Sequence, residues 1–130
     1  MKSLILIFFF LIFSTFSSLA DKWTRYDETN SLVVYYDQKS WVKEGPVTYI
    51  NLLYDLKKPL VGAEGTANSM IIYREFRCKE MKFINKNTSF FEKKMAKGKN
   101  FYSDDKGELR SVSDYGSLDG SLFKAACQIK

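Results

Sequence analysis

Leu4 to Phe13 is an unbroken run of ten apolar residues behind the positive start Met1-Lys2, and Ser18-Leu19-Ala20 supplies the small residues that a signal peptidase needs. No other feature constrains the chain as much, because it decides both which residues fold and in which compartment. The pattern predicts a secretory signal over residues 1–20, cleaved after Ala20, and a single domain over residues 21–130. A permanent membrane anchor needs about 18 or more apolar residues. The leader run is shorter, and no second candidate follows it, so no transmembrane segment is expected. No cysteine lies near the cleavage site to become a lipid-carrying N-terminus. The expected location is therefore outside the cytoplasm: periplasm, outer-membrane surface or extracellular space.

Removing the leader leaves 110 residues with 19 basic and 15 acidic side chains, a net charge of +4, and 45 apolar residues. That is enough for one modest core and too few for two. Export also bears on the two cysteines. In an oxidising compartment an even count in a small domain usually marks a structural disulfide, and Cys78 with Cys127 is the one intramolecular pairing available. The alternatives are an intermolecular pair or a reactive thiol, and the chain has no histidine to activate a thiolate.

The pattern beyond the leader is mostly that of strands. Trp23 to Asp27 and Leu32 to Asp37 flank the polar cluster Glu28-Thr29-Asn30-Ser31, a hairpin signal. Lys43-Glu44-Gly45-Pro46 precedes a further strand, Val47 to Tyr54, apolar on both faces and so expected to be central. Pro59, Gly62 and Gly65 predict a loop from Asp55 to Asn68. Ser69 to Cys78 resumes as a strand with Met70, Ile72 and Phe76 on one face and Ile71 and Tyr73 on the other. Lys79 to Lys86, with Met81 and Phe83 on one face, and Thr88 to Met95 predict two more, although Phe91 to Met95 would also suit a helical turn. Tyr102 to Asp114 reads as a loop or weak edge hairpin. Ser117 is a good N-cap with Asp119 behind it, and Leu118, Leu122, Ala125, Ala126 and Ile129 fall at helical spacing, predicting a helix from Leu118 to Gln128. The sum is an α+β domain: a single antiparallel sheet of about five to six strands with a C-terminal helix packed on it and tied by one disulfide.

No pattern of catalytic or metal-ligating residues emerges. Histidine is absent, Asp104-Asp105 sits in a polar stretch that nothing apolar surrounds, and neither a phosphate-binding glycine loop nor zinc spacing occurs. The expectation is a protein without catalytic residues, cofactor or metal. Charge is more informative. Between Arg77 and Lys99 there are eight basic residues against Glu80 and Glu92, so this segment is +6 and the rest of the mature chain is −2. Lys79, Lys82, Lys86, Lys93, Lys94, Lys97 and Lys99 are accordingly the candidate partner-binding residues, suited to an acidic protein segment or an anionic surface. The other reading is a solvated sheet face. Nucleic acid is not expected, since an exported protein seldom meets it and arginine is scarce.

An ordered set of landmarks spans nearly the whole mature chain: Trp23, Tyr35-Tyr36-Asp37 with Ser40 after it, Gly45, Ser69, Cys78, Lys82, Phe91, Met95, Gly98, Ser117 and Cys127. Together these resemble the surface-adhesin protein E-like family of small exported Gram-negative proteins. The resemblance implies a sheet with a C-terminal helix and an adhesin-like role, binding extracellular matrix or serum proteins such as vitronectin, laminin and plasminogen. It assigns no binding residue by position. Self-association as a homodimer stays open, and the competing function is an envelope accessory protein with a structural or stress role and no host ligand.

Overall fold

The computed structural model describes residues 22–129; the leader lies outside them. Eight strands and one helix follow in order: β1 (Thr24–Glu28), β2 (Leu32–Tyr36), β3 (Val42–Glu44), β4 (Val47–Gly62), β5 (Gly65–Arg77), β6 (Lys82–Phe91), β7 (Asn100–Asp104), β8 (Leu109–Ser111) and α1 (Leu118–Ala126). All pairings are antiparallel and form one sheet in the order β1-β2-β4-β5-β6-β7. β3 continues alongside β4 where β2 stops, and β8 does the same along β6 beside β7. The sheet is thus six positions wide but contains eight strands rather than five to six. The two extra ones are three-residue segments, too short to show a period.

Two expectations along the chain are corrected. Residues 55–68 are not a loop: β4 and β5 run through them as a long hairpin, with Gly62 opposite Gly65 across the turn. The punctuation at Pro59 marks a bulge, where the pairing jumps from Asp55↔Ser69 to Leu60↔Ala67. Proline has no N–H to give to a ladder, so it sits where the ladder is broken. Likewise Lys79 to Lys86 and Thr88 to Met95 are not two strands. β6 runs without interruption from Lys82 to Phe91, and Lys86 is the residue skipped in its register with β5. Lys79–Met81 form the β5–β6 turn, with Met81 exposed rather than beside Phe83, and Lys94–Ala96 form a tight turn rather than part of a strand.

Strand alternation sends Val34, Ile50, Leu52, Tyr54, Leu56, Ile72, Phe76 and Phe83 to one face, and α1 closes it with Leu122, Phe123 and Ala126. Phe76 lies 6.2 Å from Phe83 and 6.1 Å from Phe123, ring centre to ring centre. Ser117 caps the helix, its Oγ accepting from the Gly120 N–H at 3.0 Å. Gly120 itself is required by packing, since a Cβ there would sit 1.7 Å from the Asp114 carbonyl oxygen. The Cys78–Cys127 disulfide joins the residue after β5 to the C-cap of α1. Arg74 is the unexpected occupant of this core. It is 2% exposed, and its guanidinium donates to Asn85 Oδ1 (2.7 Å), Asp119 Oδ1 (3.0 Å) and Tyr54 Oη (3.2 Å) over the Phe83 ring. Every polar arm is answered, which is the condition for burying a cation.

Candidate binding surface

The opposite face of the sheet carries no helix, and its registers set the residues in rows. Val42, Tyr49, Glu75, Ile84 and Leu109 lie side by side across β3, β4, β5, β6 and β8. The next same-face row holds Asn51, Tyr73 and Asn87, and the one beyond it Tyr35, Leu53, Ile71 and Ser89. Tyr49 and Tyr73 stack at 6.0 Å, and Lys86 Nζ stands 5.6 Å from the Tyr49 ring centre. Val42, Tyr73 and Leu109 remain 45%, 37% and 42% exposed. On this face Tyr73 is exposed on the central strand β5 and Val42 and Leu109 on the short outer strands, whereas Tyr49 and Ile84 are half-buried and Leu53 is fully buried.

Charges are set into this face as well as at its end. Glu75 is buried among its neighbours, with Arg77 Nε donating to its Oε2 at 2.8 Å and Lys86 Nζ 3.9 Å from its Oε1. Burial would raise the Glu75 carboxyl, but the hydrogen bonds from Arg77 and the Tyr49 hydroxyl outweigh it and hold the group below its usual range. Burial and the adjacent Glu75 carboxylate push the Tyr49 phenol up. Lys82 lies opposite Arg77 at the end of the same face, and Lys79 is exposed in the adjoining turn.

The candidate lysines do not form one patch. Lys79, Lys82 and Lys86 belong to this face, whereas Lys93, Lys94, Lys97 and Lys99 lie beyond the far end of β6. There the 92–99 loop folds back onto the root of the β4–β5 hairpin. Met95 N–H donates to Asp55 Oδ1 and Ala96 N–H to Ser69 Oγ, both at 2.9 Å. Lys94 Nζ donates to the Leu56 carbonyl at 2.8 Å, so that lysine is engaged in structure. The fold also brings in residues that the charge pattern did not single out: Lys57 and Lys58 on the hairpin, and the exposed Val42, Tyr73 and Leu109. For Leu109 the surrounding polar stretch hid the signal; for Tyr73 the two-residue period was sufficient, since it alternates with Ile72 and Arg74.

Several landmark residues have local roles. The Asp37 carboxylate accepts from Lys39 N–H at 3.1 Å, and Ser40 Oγ donates to the Asp37 carbonyl while accepting from Asn51 N–H. Together they hold the turn that passes the chain from β2 to β3. Gly45 (φ +60) turns β3 into β4. Among the described residues no helix is long and apolar enough to cross a membrane, and no group of three or more His, Cys, Asp or Glu is placed to hold a metal ion.

No curated protein matches the sequence significantly. The fold is similar to the crystal structure of protein E from non-typeable Haemophilus influenzae, with TM-score 0.57 and 16% identity over 87% of this chain and 77% of that one. A second crystal form of Haemophilus influenzae protein E gives TM-score 0.58 and 17% identity over 78% and 91% of the two chains. At such identities the likeness concerns the fold: an antiparallel sheet, one C-terminal helix and its place on the sheet. The sequence itself is matched by the surface-adhesin protein E model over residues 23–128, from the first landmark tryptophan to the residue after Cys127. On that match the chain belongs to the surface-adhesin protein E family.

Proposed function

We propose that this protein is an exported surface adhesin that docks an extracellular matrix or serum protein of the host on the helix-free face of its sheet. Family membership supports the adhesin role. The observation that carries the site is the sheet face that holds Val42, Tyr49, Tyr73, Ile84 and Leu109, with Glu75 buried between Tyr49 and Ile84 and with Arg77, Lys82 and Lys86 around it. Tyrosine supplies large contact area at low conformational cost, and apolar centres with charged rims are the usual anatomy of protein interfaces. Four strand spacings across and four residues along, from Tyr73 to Arg77, make the patch about 20 Å by about 13 Å, the scale of the centre of a standard interface. The rim lysines, Lys79 included, give it a preference for acidic partners.

The test is surface-captured binding of laminin, vitronectin and plasminogen by the oxidised mature domain and by Tyr73→Ser and Leu109→Ser variants. Both side chains are substantially exposed, so folding should survive. A loss of at least tenfold in affinity for a bound ligand is expected from each, with Tyr115→Ser, an exposed aromatic on the helix side, as the control. Unchanged binding by both variants would place the site elsewhere.

A further inference from the structure

A second exposed apolar region is the tip of the β4–β5 hairpin. β2 pairs with β4 only as far as Leu56, opposite Leu32, and β6 pairs with β5 only as far as Ser69, opposite Phe91. Residues 57–66 therefore project past their sheet neighbours as a two-stranded ribbon. Near its end Leu60 is 51% and Val61 79% exposed, and Tyr102 beside them 43%. The ribbon is braced: the Phe101 ring lies 3.0 Å from where a Cβ on Gly65 would be, so it packs directly on the backbone of that glycine.

The tip is set in front of positive charge. Lys57 and Lys58 lie in the bulge, and Lys58 is three residues behind Val61, roughly 10 Å along a strand. The 92–99 loop adds Lys93, Lys94, Lys97 and Lys99, and its shape is fixed by its anchors. Met95 (φ 58) and Ala96 (φ 56) are both left-handed, a conformation non-glycine residues rarely take unless the surroundings impose it. Asp55 and Ser69 impose it by accepting their N–H groups, while Ser69 Oγ donates to the Lys93 carbonyl and Asn68 to that of Glu92. Residues 55–66 and 92–99 together carry six lysines against Asp55, Glu64 and Glu92; Lys57 is paired with Glu28 at 2.6 Å, which leaves a local charge of +2, with the exposed Glu64 in the hairpin turn itself. Lys93, Lys97 and Lys99 are exposed and form no ion pair among the described residues.

We infer that this end of the sheet docks on a phospholipid bilayer bearing anionic headgroups, with Leu60 and Val61 entering the interface and the lysines meeting the headgroups. The few exposed apolar side chains here, Leu60, Val61 and Tyr102, offer a protein partner little of the roughly 800 Å² a stable interface uses. A bilayer interface asks only for a few apolar side chains beside basic ones. Interfacial segments bury apolar side chains about 5–10 Å below the headgroups, with basic residues at headgroup level, and stable attachment takes both signals. This site is distinct from the protein-docking face and stands or falls separately from it.

The experiment is flotation of the oxidised mature domain with phosphatidylcholine vesicles, with and without roughly one third phosphatidylglycerol. Binding to the anionic vesicles alone, abolished at high salt, is expected. Lys93→Gln/Lys97→Gln/Lys99→Gln should weaken partition roughly 100-fold, about fivefold per lysine, and Leu60→Ser/Val61→Ser at least tenfold. Tyr73→Ser should bind vesicles as the parent does. The proposal is overturned if the parent domain partitions equally to neutral and anionic vesicles, or if either multiple variant binds as the parent does. The salt titration of the unaltered domain decides the electrostatic part even where a variant fails to fold.

Discussion

The disulfide offers the largest single effect on stability. Cys78 and Cys127 are 49 residues apart, and their bond closes a loop containing β6, β7, β8 and α1. In the chain-entropy description a cross-link over about 50 residues removes roughly 14 cal/mol/K from the denatured ensemble, or about 4 kcal/mol at 25 °C. A domain of this size unfolds with an entropy of roughly 0.23 kcal/mol/K, so the melting point of Cys78→Ala/Cys127→Ala should fall by about 15–20 °C. In guanidinium the midpoint should drop by about 1–2 M, and the slope should rise because the unlinked denatured chain exposes more surface. Fluorescence of Trp41, which packs on the core beside Tyr36, reports the transition. Helix α1 has its own hold on the sheet through Leu122, Phe123 and Ala126. A loss below about 1 kcal/mol with an unchanged slope would therefore mean that packing alone secures the helix and that the entropic reasoning fails.

Gly120→Ala should displace α1 from the sheet, because the added carbon meets the Asp114 backbone; the near-ultraviolet dichroism should change and the melting point fall, whereas Ala125→Gly, at an exposed helix position, should cost only about 1 kcal/mol. Ser69→Ala removes both an acceptor and a donor from a wholly buried site and should cost about 1–3 kcal/mol, with faster amide exchange confined to residues 93–97 as the local signature. Because the Glu75 carboxyl is held below its usual range, the stability it contributes is present above the ordinary carboxyl value and is lost as pH falls through the lowered one. Denaturation titrations from pH 7 downward should accordingly show a smaller acid loss for Glu75→Gln than for the parent.

Much of this architecture is legible in the sequence because its signals are local. Ser117 and Asp119 announce α1, the Glu28–Ser31 cluster announces the first hairpin, and export makes the Cys78–Cys127 pairing the natural one. Where sequence and structure differ the cause is shared: a break in period resembles the end of an element. Pro59 interrupts β4 only as a bulge, and Gly62 and Gly65 flank a tight turn rather than a loop. Asn85-Lys86-Asn87 breaks the alternation of β6 because Lys86 is the extra residue there. β3 leaves no trace and β8 only the weak edge signal of Tyr102 to Asp114, since each is three residues long and owes its existence to a long neighbour's ladder. Arg74 could have been found: it continues the core-facing series Met70, Ile72, Phe76, and only its charge argued against it. The division of the lysines between two surfaces could not, because it depends on the 92–99 loop folding back onto a hairpin that the sequence does not reveal.

Adhesion through the helix-free sheet face is tested by equilibrium binding of a matrix or serum protein to the Tyr73→Ser/Leu109→Ser double variant. A ligand captured by the parent domain should bind this variant at least tenfold more weakly while the variant melts at the parent's temperature. Parent-like affinity in a folded double variant would contradict it.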